Sequence, residues 1–406
     1  MNYEHLFADR IGGPRYGKTG EIYKFEKIKR AKAAAREARP EMELLDFGVG
    51  EPDRMAPEIV RAALKQAADD PANRGYADNG IREFKVAASR YMDTFFGVRL
   101  DPDCEINHSI GSKSALAMIP LCFINPGDVA LVTVPGYPVL ATHVRYLGGV
   151  VFEVPLYEEN DFLPDLAAID EDLARRAKLF YVNYPNNPTG AGPRETFFEE
   201  LIRFCRRYNI LIIHDAAYAT LVYGRRPFSI FQLPGGRETA LELHSMSKSY
   251  NMTGWRLGFV AGAEVLVRAF ADVKDNCDSG QFKAIQHAAC AAIAHRGLAE
   301  QIRLHYERRL HKLVGALRQA GFEARMPAGT FYVYVRAPGG AGRVTFDTAE
   351  EASQFLIRRW SVSSVPWDDA GAYLRFSATF EARDEGDEDR ILEELVNRLR
   401  AAQLRF

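Results

Sequence analysis

Short strand-like runs, most of them rich in apolar residues, alternate with longer stretches of helical periodicity through the middle of this chain, and that alternation constrains the fold more than any other feature. The runs are Glu105–Ile110, Val129–Val134, Val150–Val154, Leu179–Asn183, Ile210–His214, Leu241–His244 and Leu257–Ala261. A continuous apolar run of this length reads as a strand buried on both faces, the condition of a parallel sheet covered by helices on each side. Segments such as Glu195–Tyr208 carry the helical pattern between them. An α/β architecture with a mostly parallel seven-stranded sheet is therefore expected. Beyond Ala263 the order changes to a long helix (Glu300–Gln319), a strand (Thr330–Val335), a helix around Glu350–Arg359, a strand (Tyr373–Ser377) and a last helix (Glu388–Ala402). That is the pattern of a smaller α+β domain, and a chain of 406 residues is long enough for two cores. No linker stands out by composition, and Pro338–Gly342 reads as a loop between strand and helix.

Charge and composition exclude several function classes. A formal net charge of −2 gives no global attraction for nucleic acid or an anionic membrane. The basic stretch Arg303–Lys312 mixes Glu307 with apolar residues at helical spacing, the pattern of a solvated helix face. Five scattered cysteines without a Cys-x-x-Cys pair suggest free thiols in a reducing cytoplasm rather than a disulfide frame or a zinc site. The nine histidines lack metal-ligand spacing, so no metal is expected. The longest apolar run, Ala115–Ile124, is too short to span a bilayer, and the N-terminus is polar, which together point to a cytoplasmic protein.

The chemistry is concentrated in Ser245-Met246-Ser247-Lys248, with Arg256 following. A lysine amine that loses its proton easily is a nucleophile toward aldehydes. Small hydroxyl residues let the backbone approach a phosphate, and an arginine clamps it. Pyridoxal 5′-phosphate is the cofactor that needs such a set, because it requires a lysine imine and a partner for its pyridine nitrogen. The alternative is a serine-rich loop with a solvated lysine. Asp215 closes the apolar run Ile210–His214, at a strand's carboxyl end where open α/β sheets place their ligands, and suits the pyridine nitrogen; taken alone it reads equally as a helix cap. Tyr218 stands within reach of the ring's phenolic oxygen. Tyr184-Pro185-Asn186-Asn187-Pro188-Thr189-Gly190 is a turn at another strand end and can present the Asn187 amide to the same oxygen.

In order, Gly48-Val49-Gly50-Glu51-Pro52-Asp53, Tyr76, Gly111-Ser112-Lys113, Tyr137, Asn187-Pro188-Thr189-Gly190, Asp215 with Tyr218, Ser245 to Lys248, Arg256 and Arg375 resemble the class I/II aminotransferases of fold type I. The resemblance runs from about Tyr23 to the C-terminus. It implies the pyridoxal-phosphate-dependent transferase fold, with an N-terminal arm and part of the small domain in 1–47, a large cofactor-binding domain in 48–290 and a small domain in 291–406. It also implies that Lys248 carries the cofactor as an imine and then moves the proton between Cα and the cofactor. Asp215 meets the pyridine nitrogen, and Asn187 and Tyr218 the phenolic oxygen. Ser112, Lys113, Ser245, Ser247 and Arg256 hold the phosphate, and Tyr137 stacks on the ring. Tyr76 reaches the phosphate from the neighbouring subunit, so a homodimer with shared active sites is implied. Substrate contacts fall to Tyr23, Gly50, Tyr76, Lys113, Tyr137, Asn187 and Arg375, the last gripping the α-carboxylate. From the residues alone, Tyr137 reads equally as a packed aromatic, and the alternation Tyr-Leu-Arg-Phe-Ser does not say which face of its strand Arg375 occupies.

Within that family the chain is similar to the LL-diaminopimelate aminotransferases in Tyr23, Arg74–Gly80, His108–Lys113 and Val365–Gly371. The implied reaction is ping-pong, with LL-diaminopimelate and 2-oxoglutarate interconverting with tetrahydrodipicolinate and glutamate, small-molecule substrates only. Tyr23, Asp78, Asn79 and Lys113 are polar candidates for the far end of that substrate. The plant-type enzymes carry a longer loop with a Glu-Gln pair where Asp78-Asn79 stands, which leaves distal recognition open. The alternatives are an aspartate, alanine or aromatic aminotransferase, a lyase or decarboxylase on the same scaffold, and a regulatory protein that kept the fold.

Overall fold

The apolar runs do become strands. The structure, a computed structural model, describes residues 3–18 and 24–406. Its main sheet contains β1 (Ile106–Ser109), β2 (Val129–Val134), β3 (Val150–Pro155), β4 (Ala177–Asn183), β5 (Leu211–Asp215), β6 (Ala240–Ser245) and β7 (Gly258–Gly262), in the order β1-β7-β6-β5-β4-β2-β3. All neighbours run parallel except β7, which is antiparallel to both β1 and β6. The side-chain period of two, with helices on both faces, explains why the central strands are mainly apolar on both sides. Leu179 and Tyr181 of β4 pack with Ile213 and Leu243 under the helices Gly111–Phe123 and Glu264–Asp275. Phe180 and Val182 point the other way, onto Phe197, Phe198 and Leu201 of the helix Glu195–Tyr208. That helix has the expected bounds and stops at Asn209, whose backbone is left-handed (φ 56°). Among the strand ends that differ from expectation, two bear on the site. β5 includes Asp215, which pairs in register with Asn183, and β6 extends through Ser245, so both residues are held by the ladder itself.

The C-terminal part forms an antiparallel sheet from β8 (Tyr332–Arg336), β9 (Val365–Trp367) and β10 (Tyr373–Ser377), in the order β9-β10-β8. The helices Leu298–Gln319 and Glu385–Ala401 cover it, with Leu310, Leu313, Leu317 and Leu395 in one core with Phe376 of β10. β8 starts at Tyr332 rather than Thr330 because Thr330 is left-handed (φ 69°) and cannot extend the strand. The expected loop at Pro338–Gly342 is partly a strand: Gly340–Ala341 pairs with Val344–Thr345 and with Leu404–Arg405. Near the N-terminus, Leu45–Asp46 pairs with Val362–Ser363, tying the segment before Gly48 to this layer. Buried Arg309 donates to the carbonyls of Ala378 and Phe380 and lies 3.3 Å from Asp53 and 3.1 Å from Glu388, which anchors the segment 48–53.

A second buried ion cluster lies one strand over from Asp215. Glu242 accepts from His214 Nδ1 (2.9 Å), His244 Nε2 (2.7 Å), the Ser229 hydroxyl (2.8 Å) and the Ile230 N–H (2.9 Å). Burial alone would raise its pKa, but the hydrogen bonds from His214 and His244 outweigh that and hold it below the usual carboxylate range. Glu242→Leu removes one side of a buried pair and should cost about 3–5 kcal/mol in urea unfolding. Because the folded pKa is depressed, this contribution is present above the unfolded carboxylate value and is lost as pH falls through the folded one. Acid titration of the urea midpoint should therefore be flatter in the variant than in the parent; equal slopes and equal midpoints would contradict the assignment.

Candidate active site

The carboxyl ends of β4, β5 and β6 open into a cleft of about 450 Å³. It is lined by Gly50, Ser112, Lys113, Tyr137, Asn187, Asp215, Tyr218, Ser245, Ser247, Lys248, Arg256 and Arg375, residues that lie far apart along the chain. Two expected site residues are not among them. Tyr76 stands 82 % exposed on the outer surface, and Tyr23 lies outside the described residues.

Lys248 projects from the short helix Met246–Ser249 that follows β6, and its amine donates to the Gly50 carbonyl at 3.0 Å. By surface area it is only half-buried, since it faces the cleft, yet it lies deep in the protein. Desolvation there, helped by the charges of Arg256 and Arg375 and opposed by Glu51, lowers its pKa to about 8. Asp215 is buried at the end of β5, and that burial raises its pKa. The Ala217 N–H (3.2 Å), the Tyr181 hydroxyl (3.3 Å) and the charges of His214 and His244 oppose the rise. A buried carboxylate so placed gains from a cation brought against it. Burial likewise pushes the Tyr218 phenol well up, so it stays a hydrogen-bond donor.

At the other end the cleft is built for an anion. The helix Gly111–Phe123 begins there, and Gly111 is left-handed (φ 75°). A Cβ on Gly111 would lie 2.5 Å from Arg256 Nη2, so only glycine lets the guanidinium close against the helix start. Arg256 Nη1 donates to the Thr253 carbonyl (2.9 Å) and to the Ser247 hydroxyl (3.3 Å). Ser245 caps the Met246–Ser249 helix by accepting from the Ser247 N–H, which leaves its own proton to donate. The Ser112 hydroxyl is buried with no protein partner.

Arg375 settles the strand-face question: it turns inward and is 3 % exposed. Its Nη1 donates to Asn187 Oδ1 (2.8 Å) and its Nη2 to the Gly48 carbonyl (3.3 Å), while its buried Nε has no protein partner. Asn187 is oriented in turn by its N–H donating to Asn183 Oδ1 (2.8 Å). The distal candidate Asn79 is already engaged within its own chain. Its Nδ2 donates to Asp275 and its Oδ1 accepts from Asn107, both at 2.6 Å.

The sequence reading missed Tyr332 as a site residue and used Trp367 only as a point of resemblance; both line the cleft. Trp367 follows a proline in an apolar strand and reads as core. Tyr332 follows Thr330, whose left-handed turn re-aims the strand and leaves no trace in residue type.

These residues fit pyridoxal phosphate. A phosphate meets the Gly111 helix start, the unpartnered Ser112 hydroxyl and Arg256, a ring nitrogen meets buried Asp215, and an aldehyde meets an amine depressed toward neutrality. The comparisons agree: residues 42–385 match the model of the family Aminotransferase class I and II, and the chain belongs to that family. It is a pyridoxal-phosphate-dependent aminotransferase. It is 52 % identical to the LL-diaminopimelate aminotransferase of Methanocaldococcus jannaschii, over 99 % of each chain, and 52 % identical to the enzyme of that name from Methanococcus maripaludis, again over 99 % of each. Among solved structures, substrate-bound BacF of Bacillus subtilis superposes with a TM-score of 0.88 at 29 % identity, covering 98 % of both chains. Among the described residues no helix is long and apolar enough to cross a membrane.

The depressed Lys248 pKa has a measurable consequence. Only the unprotonated amine captures an aldehyde, so capture of pyridoxal phosphate by the cofactor-free protein should quicken about tenfold from pH 7 to pH 9 and then level off. An ordinary lysine would give about a hundredfold rise over that span without levelling. Stopped-flow absorbance distinguishes the two.

Proposed function

We propose that this chain transfers an amino group between LL-diaminopimelate and 2-oxoglutarate, giving tetrahydrodipicolinate and glutamate, in the cytoplasmic supply of lysine and cell-wall precursors. Full-length 52 % identity to two enzymes of that name, with twelve of the expected site residues lining one cleft, carries the proposal. Bound pyridoxal phosphate supplies an aldehyde for the amino group and a ring that accepts the electrons of the Cα–H bond. Arg375, held by Asn187 and Gly48, grips the substrate α-carboxylate and thereby fixes which Cα bond faces Lys248. Lys248 takes the Cα proton on Nζ and returns it on the acceptor side. Its lowered pKa suits it to both directions near neutral pH. Asp215 would keep the ring nitrogen protonated, and Tyr218 and Asn187 would serve the phenolic oxygen. Ser112, Lys113, Ser245, Ser247 and Arg256 hold the phosphate, and Tyr137 lies against the ring.

The working molecule in this proposal is a homodimer. Tyr76 and Phe282 (46 % exposed) both stand outside this chain's own cleft, on segments joined by the Ala77 N–H donating to the Ser279 carbonyl. In that dimer Tyr76 would reach the phosphate in the neighbouring subunit's cleft. The division assigned to the chain is an arm and part of the small domain in 1–47, a large domain in 48–290 and a small domain in 291–406.

A panel of amino donors against 2-oxoglutarate tests the assignment. LL-diaminopimelate should give the highest kcat/KM, well above aspartate, alanine and phenylalanine. An equal or better value with aspartate would overturn the substrate while leaving the reaction class standing.

A further inference from the structure

The mechanism above leaves unused the side chain at the centre of its hydrogen-bond network. Tyr332 is 1 % exposed, and its hydroxyl lies 3.0 Å from the Tyr218 hydroxyl and 3.3 Å from the Gly50 carbonyl. That carbonyl is the one that accepts from Lys248 at 3.0 Å. The Arg375 guanidinium lies 4.0 Å from the centre of the Tyr332 ring. The strand register explains this contact: Arg375 pairs with Tyr334 and Ser377 with Tyr332, so Arg375 and Tyr332 are diagonal neighbours on one sheet face.

Resting on the aminotransferase reading, we propose that Tyr332 is a positioning residue joining the two ends of the cleft. Its ring backs the guanidinium that takes the substrate carboxylate, and its hydroxyl orients the Tyr218 hydroxyl toward the cofactor's phenolic oxygen. The hydroxyl carries one proton for two acceptors, the Gly50 carbonyl and the Tyr218 oxygen. The Tyr218 oxygen, at 3.0 Å against 3.3 Å for the Gly50 carbonyl, is the nearer acceptor, so Tyr332 can donate to Tyr218, and Tyr218 donates onward. A donor that itself accepts a hydrogen bond is the stronger donor. Gly50 belongs to the same device: a Cβ there would stand 3.1 Å from the Tyr332 hydroxyl.

Two variants of the cofactor-loaded protein separate the roles. Tyr332→Phe keeps the ring and removes the hydroxyl. It should lower kcat about tenfold, the loss of roughly one hydrogen bond, leave both KM values within about twofold, and move the pH midpoint of the bound cofactor's absorbance upward by about half a pH unit. Tyr332→Leu removes the ring as well and should in addition raise KM for both the amino and the oxo acid by about tenfold, since a buried guanidinium–ring contact is lost. An unchanged kcat and midpoint in Tyr332→Phe would overturn the hydroxyl role. A KM rise in Tyr332→Phe as large as in Tyr332→Leu would overturn the ring role. Should Tyr332→Leu fail to fold, the Phe variant alone decides. Failure of the function reading appears separately, as a parent protein with no transamination and no cofactor absorbance.

Discussion

Lys248→Ala should abolish transamination, with kcat falling by at least about 10⁴-fold, the upper end for a positioned acid–base group. The variant loses two things together. One is the amine that captures the cofactor, made reactive by burial and by the nearby charges of Arg256 and Arg375. The other is the proton carrier at Cα, which no neighbour replaces. Lys113 lines the same cleft, but it sits on the helix Gly111–Phe123 beside the anion end, whereas Lys248 rests on the Gly50 carbonyl. Imine absorbance and turnover should disappear in the same preparation while the fold persists, because alanine suits the short helix Met246–Ser249. Parent-level transamination in this variant would refute the mechanism.

Asp215→Asn should keep the shape of the cleft and still reduce kcat/KM by about 10²–10³-fold, the scale for losing one preorganised electrostatic partner. The asparagine can retain the Ala217 N–H and Tyr181 contacts, so the fold and the cofactor pose survive. It carries no charge, so nothing keeps the ring nitrogen protonated, and the ring withdraws electrons less well. A cofactor analogue methylated on that nitrogen is permanently cationic and should restore part of the rate in the variant while leaving the parent little changed. Equal loss with both cofactors would mean that Asp215 acts by shape alone.

The large sheet was legible in the sequence because strands buried on both faces are apolar over most of their length, as Leu179–Val182 of β4 and Leu211–Ile213 of β5 are. The site motifs were legible because they stand where those strands end. What could not be read depends on contacts between distant segments. Arg375 has the same strand pattern whichever face it occupies, and only the Asn187 turn and Gly48 draw it inward. Gly340–Ala341 became a strand because the C-terminal Leu404–Arg405 lies beside it. Asn79 looked available for substrate until Asp275 and Asn107 were seen to hold both ends of its amide. Tyr332 read as an ordinary strand residue; its place beside Tyr218 and Arg375 follows from the left-handed turn at Thr330.

All of the chemistry argued here depends on one nitrogen atom holding the cofactor. Borohydride reduction of the loaded protein, followed by peptide mapping, locates that bond directly. The reduced phosphopyridoxyl group should be found on Lys248, in the peptide that also contains Ser245 and Ser247, and nowhere else. Its recovery on Lys113 or another lysine, or on no lysine at all, would contradict the account.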